Sequence, residues 1–200
     1  WDPYKDYHMG NAGELCSTTY KITREDQDDF AKESYTRAIK AWEDGRFNKE
    51  IVPVEVAGKT TITVAEDEEH KKANFEKMGS LRPVFTKDGT ITAANASKIN
   101  DGAAAVVLMS EEKVKELGVK PLARIVSYAD ASQAPEWFTT TPVKATQQAL
   151  DKSSLKISDI DAFEVNEAFS CVAIINAREL NIPTDKLNMW GGAVALGHPI

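Results

Sequence analysis

The residues whose types and spacing could do chemistry lie in two short segments near the C-terminal end. One is Val165-Asn166-Glu167-Ala168-Phe169; the other is the run Gly191-Gly192-Ala193-Val194-Ala195-Leu196-Gly197-His198-Pro199. Glycines let the second run bend sharply and come close to a partner. The proline after His198 restricts that residue to extended backbone angles and so fixes the direction of its imidazole. An imidazole held in this way can take a proton from a thiol, and its nitrogen can donate to an oxyanion as it develops. An asparagine nearby can position a water or hold the ring. Plainer readings stand beside these. A lone histidine in a glycine-rich loop can be a satisfied structural residue, and Asn166 at a strand-to-helix junction can be an N-cap.

Both segments fall just past the ends of predicted strands, which is where open α/β sheets place their sites. Short strands are predicted at Ala162–Val165 and Asn188–Trp190, with a helix over Ala168–Leu180 between them. Upstream, Thr141-Pro142 opens a helix reaching about Asp151, since proline suits a first helical turn. Leu122–Ser127 and the fully apolar Ala103–Met109 read as strands, the latter followed by a helix from Ser110 that Gly118 stops. Strands alternating with helices predict an α/β layer in this half.

The first half differs. Thr23 is a good N-cap for a helix to Asp44, with acids in its first turn and Phe30, Ala31, Ser34, Tyr35, Ala38, Ile39 and Trp42 on one face. Gly45 ends it. Ile51–Val56 and Thr61–Val64 form a predicted hairpin around Gly58-Lys59, and Pro53 marks an edge strand. A charged surface stretch runs from Glu66 to Lys77. The small, polar Ala93-Ala94-Asn95-Ala96-Ser97 suits a close approach of backbone to a ligand.

Composition narrows the function classes. A formal charge of −7, from 24 basic and 31 acidic residues, argues against nucleic acid, whose phosphates need a basic surplus. The longest apolar run, Ala103–Met109, is too short to span a bilayer. Two cysteines far apart, Cys16 and Cys171, make no disulfide framework and point to a reducing compartment. They read as small buried hydrophobes. Trp1–Tyr7 has the look of neither a signal nor a transit peptide, and reads as the middle of a longer protein. Gly197-His198-Pro199-Ile200 reads as a loop cut through.

Asn-Glu-Ala-Phe at 166–169, followed by Gly-Gly-Ala-Val-Ala-Leu-Gly-His-Pro at 191–199, resembles the C-terminal domain of thiolases. His8-Met9-Gly10 near the start and Thr92-Ala93-Ala94-Asn95-Ala96-Ser97-Lys98-Ile99-Asn100-Asp101-Gly102-Ala103-Ala104-Ala105 in the middle add to the resemblance, which covers essentially the whole chain. It is closest to the biosynthetic branch that joins two acetyl-CoA into acetoacetyl-CoA and coenzyme A. The implied fold is the layered αβαβα thiolase fold with a loop domain as lid, incomplete in this chain. Residues 1–100 would be the loop domain covering coenzyme A, 101–119 the last strand and helix of the N-terminal half, and 120–200 a truncated C-terminal half.

The resemblance also implies roles. His198 would be the base that activates a cysteine nucleophile and would line the oxyanion hole. Asn166 would hold the water that completes that hole, Phe169 would pack near the reactive end of pantetheine, and Glu167 would orient the loop. His8 and Met9 would line the pantetheine tunnel, with Ser97 and Phe85 beside it. Lys72, Ala73, Asn74 and Lys77 match positions that meet the nucleotide end. Lys71, Lys72 and Lys77 form a local positive cluster, which suits phosphates as well as it suits a solvated face. One mitochondrial branch binds potassium, and its ligands match Tyr35 and the carbonyls around Ala93, Ala94, Ala96 and Val194; Tyr35 alone reads as a core helix residue. Phe138-Thr139 stands where the branch accepting 2-methyl substrates has Phe-Pro, so acceptance of branched substrates does not follow from the resemblance.

No tightly bound cofactor is implied, only coenzyme A thioesters as substrates. The family implies a dimer or tetramer, and a mitochondrial or cytoplasmic home. Neither cysteine here matches a catalytic cysteine of the family, which motivates a competing reading as a non-catalytic acyl-CoA-binding piece or paralogue. A ketoacyl synthase, with a second histidine where this chain has Asn166, is disfavoured. Without its sheet partners such a chain would expose apolar strand edges.

Overall fold

A computed structural model describes residues 1–199; Ile200, the final residue of the expected Gly197–Ile200 loop and of the expected 120–200 unit, lies outside the described residues. Two helices open the chain. Helix α1 (Met9–Thr19) is capped by His8, whose ring accepts from Gly10 while Asn11 returns a bond to the His8 backbone. Helix α2 (Arg24–Glu43) has the predicted Thr23 cap, closed reciprocally by Asp26. Its buried stripe is Gln27, Asp28, Ala31, Ser34, Tyr35, Ala38 and Ala41, close to the predicted face, with the larger Phe30, Ile39 and Trp42 only half-buried at its borders. Small residues on this stripe let other backbone come close to α2.

The predicted hairpin forms as β1 (Val54–Val56) and β2 (Ile62–Val64), antiparallel with Val54 opposite Val64 and Val56 opposite Ile62. It stands out from the body with nearly every residue exposed. A 3-10 turn over Glu69–Lys72 and the single-turn helix α3 (Phe75–Met78) follow. The turn packs on α2.

Helix α4 (Glu111–Leu117) forms where expected, capped by Ser110 and closed by left-handed Gly118. The strands predicted on either side of it do not. Residues 103–109 and 122–127 carry no strand pairing among the described residues. A strand is defined by its ladder, whose hydrogen bonds come from a neighbour and not from its own sequence. Here the apolar side chains face solvent: Val106 is 83% exposed, Val107 85% and Leu122 fully exposed. The pattern that signals strands is present, but no neighbouring strand is there to pair with it.

Helix α5 (Thr141–Ser153) begins one residue after the Thr140 cap, with Pro142 in its first turn. Helix α6 (Ser170–Leu180) starts two residues later than expected, because Phe169 is still extended. The short strands expected at 162–165 and 188–190 reduce to isolated parallel bridges, Phe163 with Leu187 and Met189 with Gly191. Asn188 itself has a positive φ of 44°, which no continuing strand allows. The single-turn helix α7 (Ala193–Leu196) ends the described chain.

The core divides into three clusters. Cys16, Ile22, Ile91, Phe169, Cys171, Val172 and Ile175 join α1 to α6. Ala31, Tyr35, Ala38, Met78, Val194 and Ala195 join α2 to α7. Leu180, Ile182 and Leu187 close the far end of α6. The segment 92–100 passes between the first two clusters, and it is this segment that assembles the site.

Candidate active site

Segment 92–100 works as a spine. On one side, Ser97 N donates to Ala168 O at 3.1 Å and Ser170 N donates to Asn95 O at 2.9 Å, with Ala96 and Phe169 forming an antiparallel bridge. On the other, His198 N donates to Lys98 O at 2.7 Å, and Ile99 and His198 form a parallel bridge. Asn100 adds a bond from its amide to Leu196 O at 3.0 Å. Two loops that lie some thirty residues apart in sequence are thus stitched to the same strand-like backbone. The spine is itself held by Asn95, fully buried, whose amide donates to Asp28 at 2.8 Å and to Thr90 O at 3.1 Å.

The result is that Asn166 Nδ2 lies 3.3 Å from His198 Nε2. With the imidazole proton on Nδ1, the amide donates to Nε2 and marks it as the nitrogen carrying the lone pair. A lone pair on Nε2 is what a proton acceptor needs, and the amide gives it up when a proton arrives. Asn166 is exposed and His198 half-buried, so the pair faces outward where a substrate could reach it. Asn166 does not cap α6. The extended Phe169 occupies the N-cap position, so the plainer reading of Asn166 is not the one its geometry adopts.

Glu167 points the other way and is fully buried. Ser34 Oγ and Val194 N donate to its Oε2 at 2.7 and 3.0 Å, and Asn188 Nδ2 donates to its Oε1 at 2.8 Å. Burial pushes its pKa up, opposed by these donors. An ideal Cβ on Gly192 would stand 2.4 Å from the Glu167 carboxyl carbon, so only glycine lets the loop close on it. Asn188 also spans Val165, donating to its carbonyl and accepting from its N–H. Together these bonds fix the entry to the His198 loop.

Phe169, three residues after Asn166, begins a line of aromatic rings. The Phe169 ring meets the edge of Phe85 at 5.8 Å, and Phe85 lies 4.6 Å from the His8 ring. The geometry brings His8, Phe85 and Phe169 together, with Met9 half-buried in the first turn of α1 and Ser97 half-buried on the spine. Lys72, Asn74 and Lys77 occupy a separate exposed turn. Asn74 is used as the cap of α3, and Ala73 packs into the α2–α7 cluster. The expected positive cluster is partly neutralised, with Lys71 paired to Glu66 at 2.5 Å and Lys72 to Glu69 at 3.1 Å.

Tyr35, Ala94 and Val194 also converge, around a side chain that sequence reasoning passed over. Lys98 Nζ donates to Val194 O at 3.0 Å and to Ala94 O at 3.4 Å, and sits 4.9 Å from the centre of the Tyr35 ring. Burial pulls its pKa down to about 8, while Glu69 and Glu167 favour its charge. Ala96 is engaged with Phe169 instead, and Ala93 is exposed. A lone lysine inside a run of small residues was the one signal available for Lys98.

Neither cysteine belongs to the site. Both are buried, and Cys171 Sγ lies 3.6 Å from Gly13 O inside the α1–α6 cluster. Its hydrogen bond with Cys16 and its burial push the Cys171 thiol well up, which leaves it inert as a nucleophile.

Residues 1–112 match the thiolase N-terminal domain and residues 119–200 the thiolase C-terminal domain. The chain is 54% identical over its whole length to a probable acetyl-CoA acetyltransferase of Dictyostelium discoideum, covering 49% of that protein. It is 50% identical to the mitochondrial acetyl-CoA acetyltransferase of Bos taurus, again over the whole chain and 48% of the relative. Among solved structures, a thiolase from Ascaris suum in complex with coenzyme A superposes with a TM-score of 0.95 at 47% identity, over 99% of this chain and 51% of that one. The chain therefore spans about half the length of the curated relatives it matches.

Proposed function

The chain belongs to the thiolase family, and from that premise we propose that the whole protein joins two acetyl-CoA molecules into acetoacetyl-CoA and coenzyme A, and runs the reverse. The observation that carries this reading is the Asn166–His198 contact of 3.3 Å, beside a His8–Phe85–Phe169 line of rings that begins three residues after Asn166. His198 Nε2 takes the proton of a cysteine thiol that residues beyond these 200 supply. The thiolate accepts an acetyl group from one coenzyme A thioester. Coenzyme A leaves with the proton of a second cysteine, also supplied from beyond these 200 residues; that thiolate takes an α-proton from a second acetyl-CoA, whose enolate carbon attacks the acetyl carbonyl and expels the first thiolate. The protonated Nε2 and a water held by Asn166 donate to the enolate oxygen, which is the charge that develops.

In this reading residues 1–100 cover coenzyme A, 101–119 complete the first α/β half, and 120–200 form most of the second. His8, Met9, Phe85, Ser97 and Phe169 hold the pantetheine arm. Lys72, Ala73, Asn74 and Lys77 meet the nucleotide end, where Lys77 is the lysine best placed to offer charge because the other two already face glutamates. The protein acts as a dimer or tetramer in mitochondria or cytoplasm.

The test is turnover of acetoacetyl-CoA by the whole protein carrying His198→Ala. Loss of a positioned proton acceptor is expected to lower turnover by about 10²–10⁴-fold. The thermal midpoint should barely move, since the ring is only half-buried and bonds one side chain. Turnover within a few-fold of the unaltered protein would refute the role.

A further inference from the structure

We propose that Lys98 is a positioning residue whose ammonium is a tethered monovalent cation, pinning the His198 loop to the spine and leaving no place for a free potassium ion. The inference rests on the reading of His198 given above.

Lys98 holds the His198 loop twice. Its backbone carbonyl accepts from His198 N at 2.7 Å, and its ammonium donates to Val194 O at 3.0 Å, four residues earlier in the same loop. The same ammonium donates to Ala94 O at 3.4 Å and lies over the Tyr35 ring at 4.9 Å, within the range of a cation–π contact. Three separate pieces of chain, α2, the spine and the 191–199 loop, therefore meet on one positive charge.

Carbonyl oxygens and an aromatic face are what a weakly hydrated monovalent cation seeks. In this chain two of those carbonyls and the ring already have a cation, delivered on a side chain. A free potassium ion at the same point would meet an ammonium a few ångströms away, and like charges repel. The residues present therefore do not fit potassium, although Tyr35, Ala94 and Val194 would fit it if Lys98 were absent.

The experiment uses the whole protein with and without Lys98→Ala, in lithium buffers into which potassium is titrated. The unaltered protein should hold its turnover and thermal midpoint constant to within twofold and a degree or so across the titration. Lys98→Ala should lose about tenfold or more in turnover in lithium, mostly in kcat and not KM. Potassium or ammonium ions should restore most of it and raise the midpoint. A potassium-activated unaltered protein would overturn the proposal, and so would a Lys98→Ala loss that no monovalent cation moves. The first of these arms stands even if the variant does not fold. The midpoint arm also stands if His198→Ala proves active, so failure of the catalytic reading can be told from failure of this one.

Discussion

Buried carboxylates are costly unless their oxygens find donors, and Glu167 finds three of them, on Ser34, Asn188 and Val194. Those donors come from α2, the turn before the glycine run, and the glycine run itself, so one side chain orients the loop that carries His198. Replacing Glu167 by glutamine would turn one acceptor oxygen into an amide nitrogen facing another donor, either the Asn188 amide or the Val194 N–H. An unsatisfied buried donor costs about 1–3 kcal/mol. Glu167→Gln is therefore expected to lower the stability of the whole protein by that amount, read from urea unfolding, and to lower turnover as the loop loosens. Unchanged stability would mean that the carboxylate is not the anchor described. His198, Asn166 and the orienting role of Glu167 were legible in the sequence because all three sit inside contiguous motifs. Ser34, Asn188 and Lys98 were not. Their roles exist only once separate segments are brought together, 34 and 188 with 167, and 98 with 194.

Elements were legible in proportion to how local their causes are. The α2 helix was readable almost to the residue, since its Thr23 cap, its acidic first turn and its left-handed Gly45 are written in adjacent positions. The same holds for the turn at Gly118 after α4. The strands at 103–109 and 122–127 carry the right pattern, yet pairing needs a partner that no local pattern supplies. The start of α6 was misplaced by two residues because bonds from the spine hold Ala168 and Phe169 outside the helix, Phe169 in extended form. A further consequence concerns the start of α1. A Cβ on Gly10 would come within 2.2 Å of the Phe85 ring, the same ring that lies tilted against His8 and abuts Phe169. Gly10→Ala must push Phe85 aside, and overpacking of this kind costs about 1–3 kcal/mol. The expected outcome is a lower thermal midpoint together with a raised KM for the coenzyme A thioester, because the ring proposed above to hold the pantetheine arm moves. A KM unchanged beside a lowered midpoint would detach Phe85 from substrate.

At the scale of the molecule, the buried and the exposed regions divide the chain's work. The three core clusters gather around α1, α2 and α6, and they carry the site between them. The stretch from Ala103 to Tyr128 instead presents Val106, Val107, Leu108, Ile125 and Val126 to solvent. A surface of contiguous apolar side chains signals an interaction. The relatives this chain matches are about twice its length, and we propose that a further α/β layer covers this stretch and brings the cysteine thiol to His198. The α/β class could be read from the alternation of predicted elements, while the thiolase fold came only through the motifs and is borne out by the superposition at a TM-score of 0.95.

All of this turns on a thioester sulfur meeting the imidazole of His198 beside the amide of Asn166. The most direct measurement is a crystal structure of the whole protein with coenzyme A. The thiol should lie within about 3–4 Å of His198 Nε2 or of a water on Asn166, with the pantetheine arm passing His8, Phe85 and Phe169. Coenzyme A bound with its sulfur on another face, and the Asn166–His198 pair open to bulk water, would contradict it.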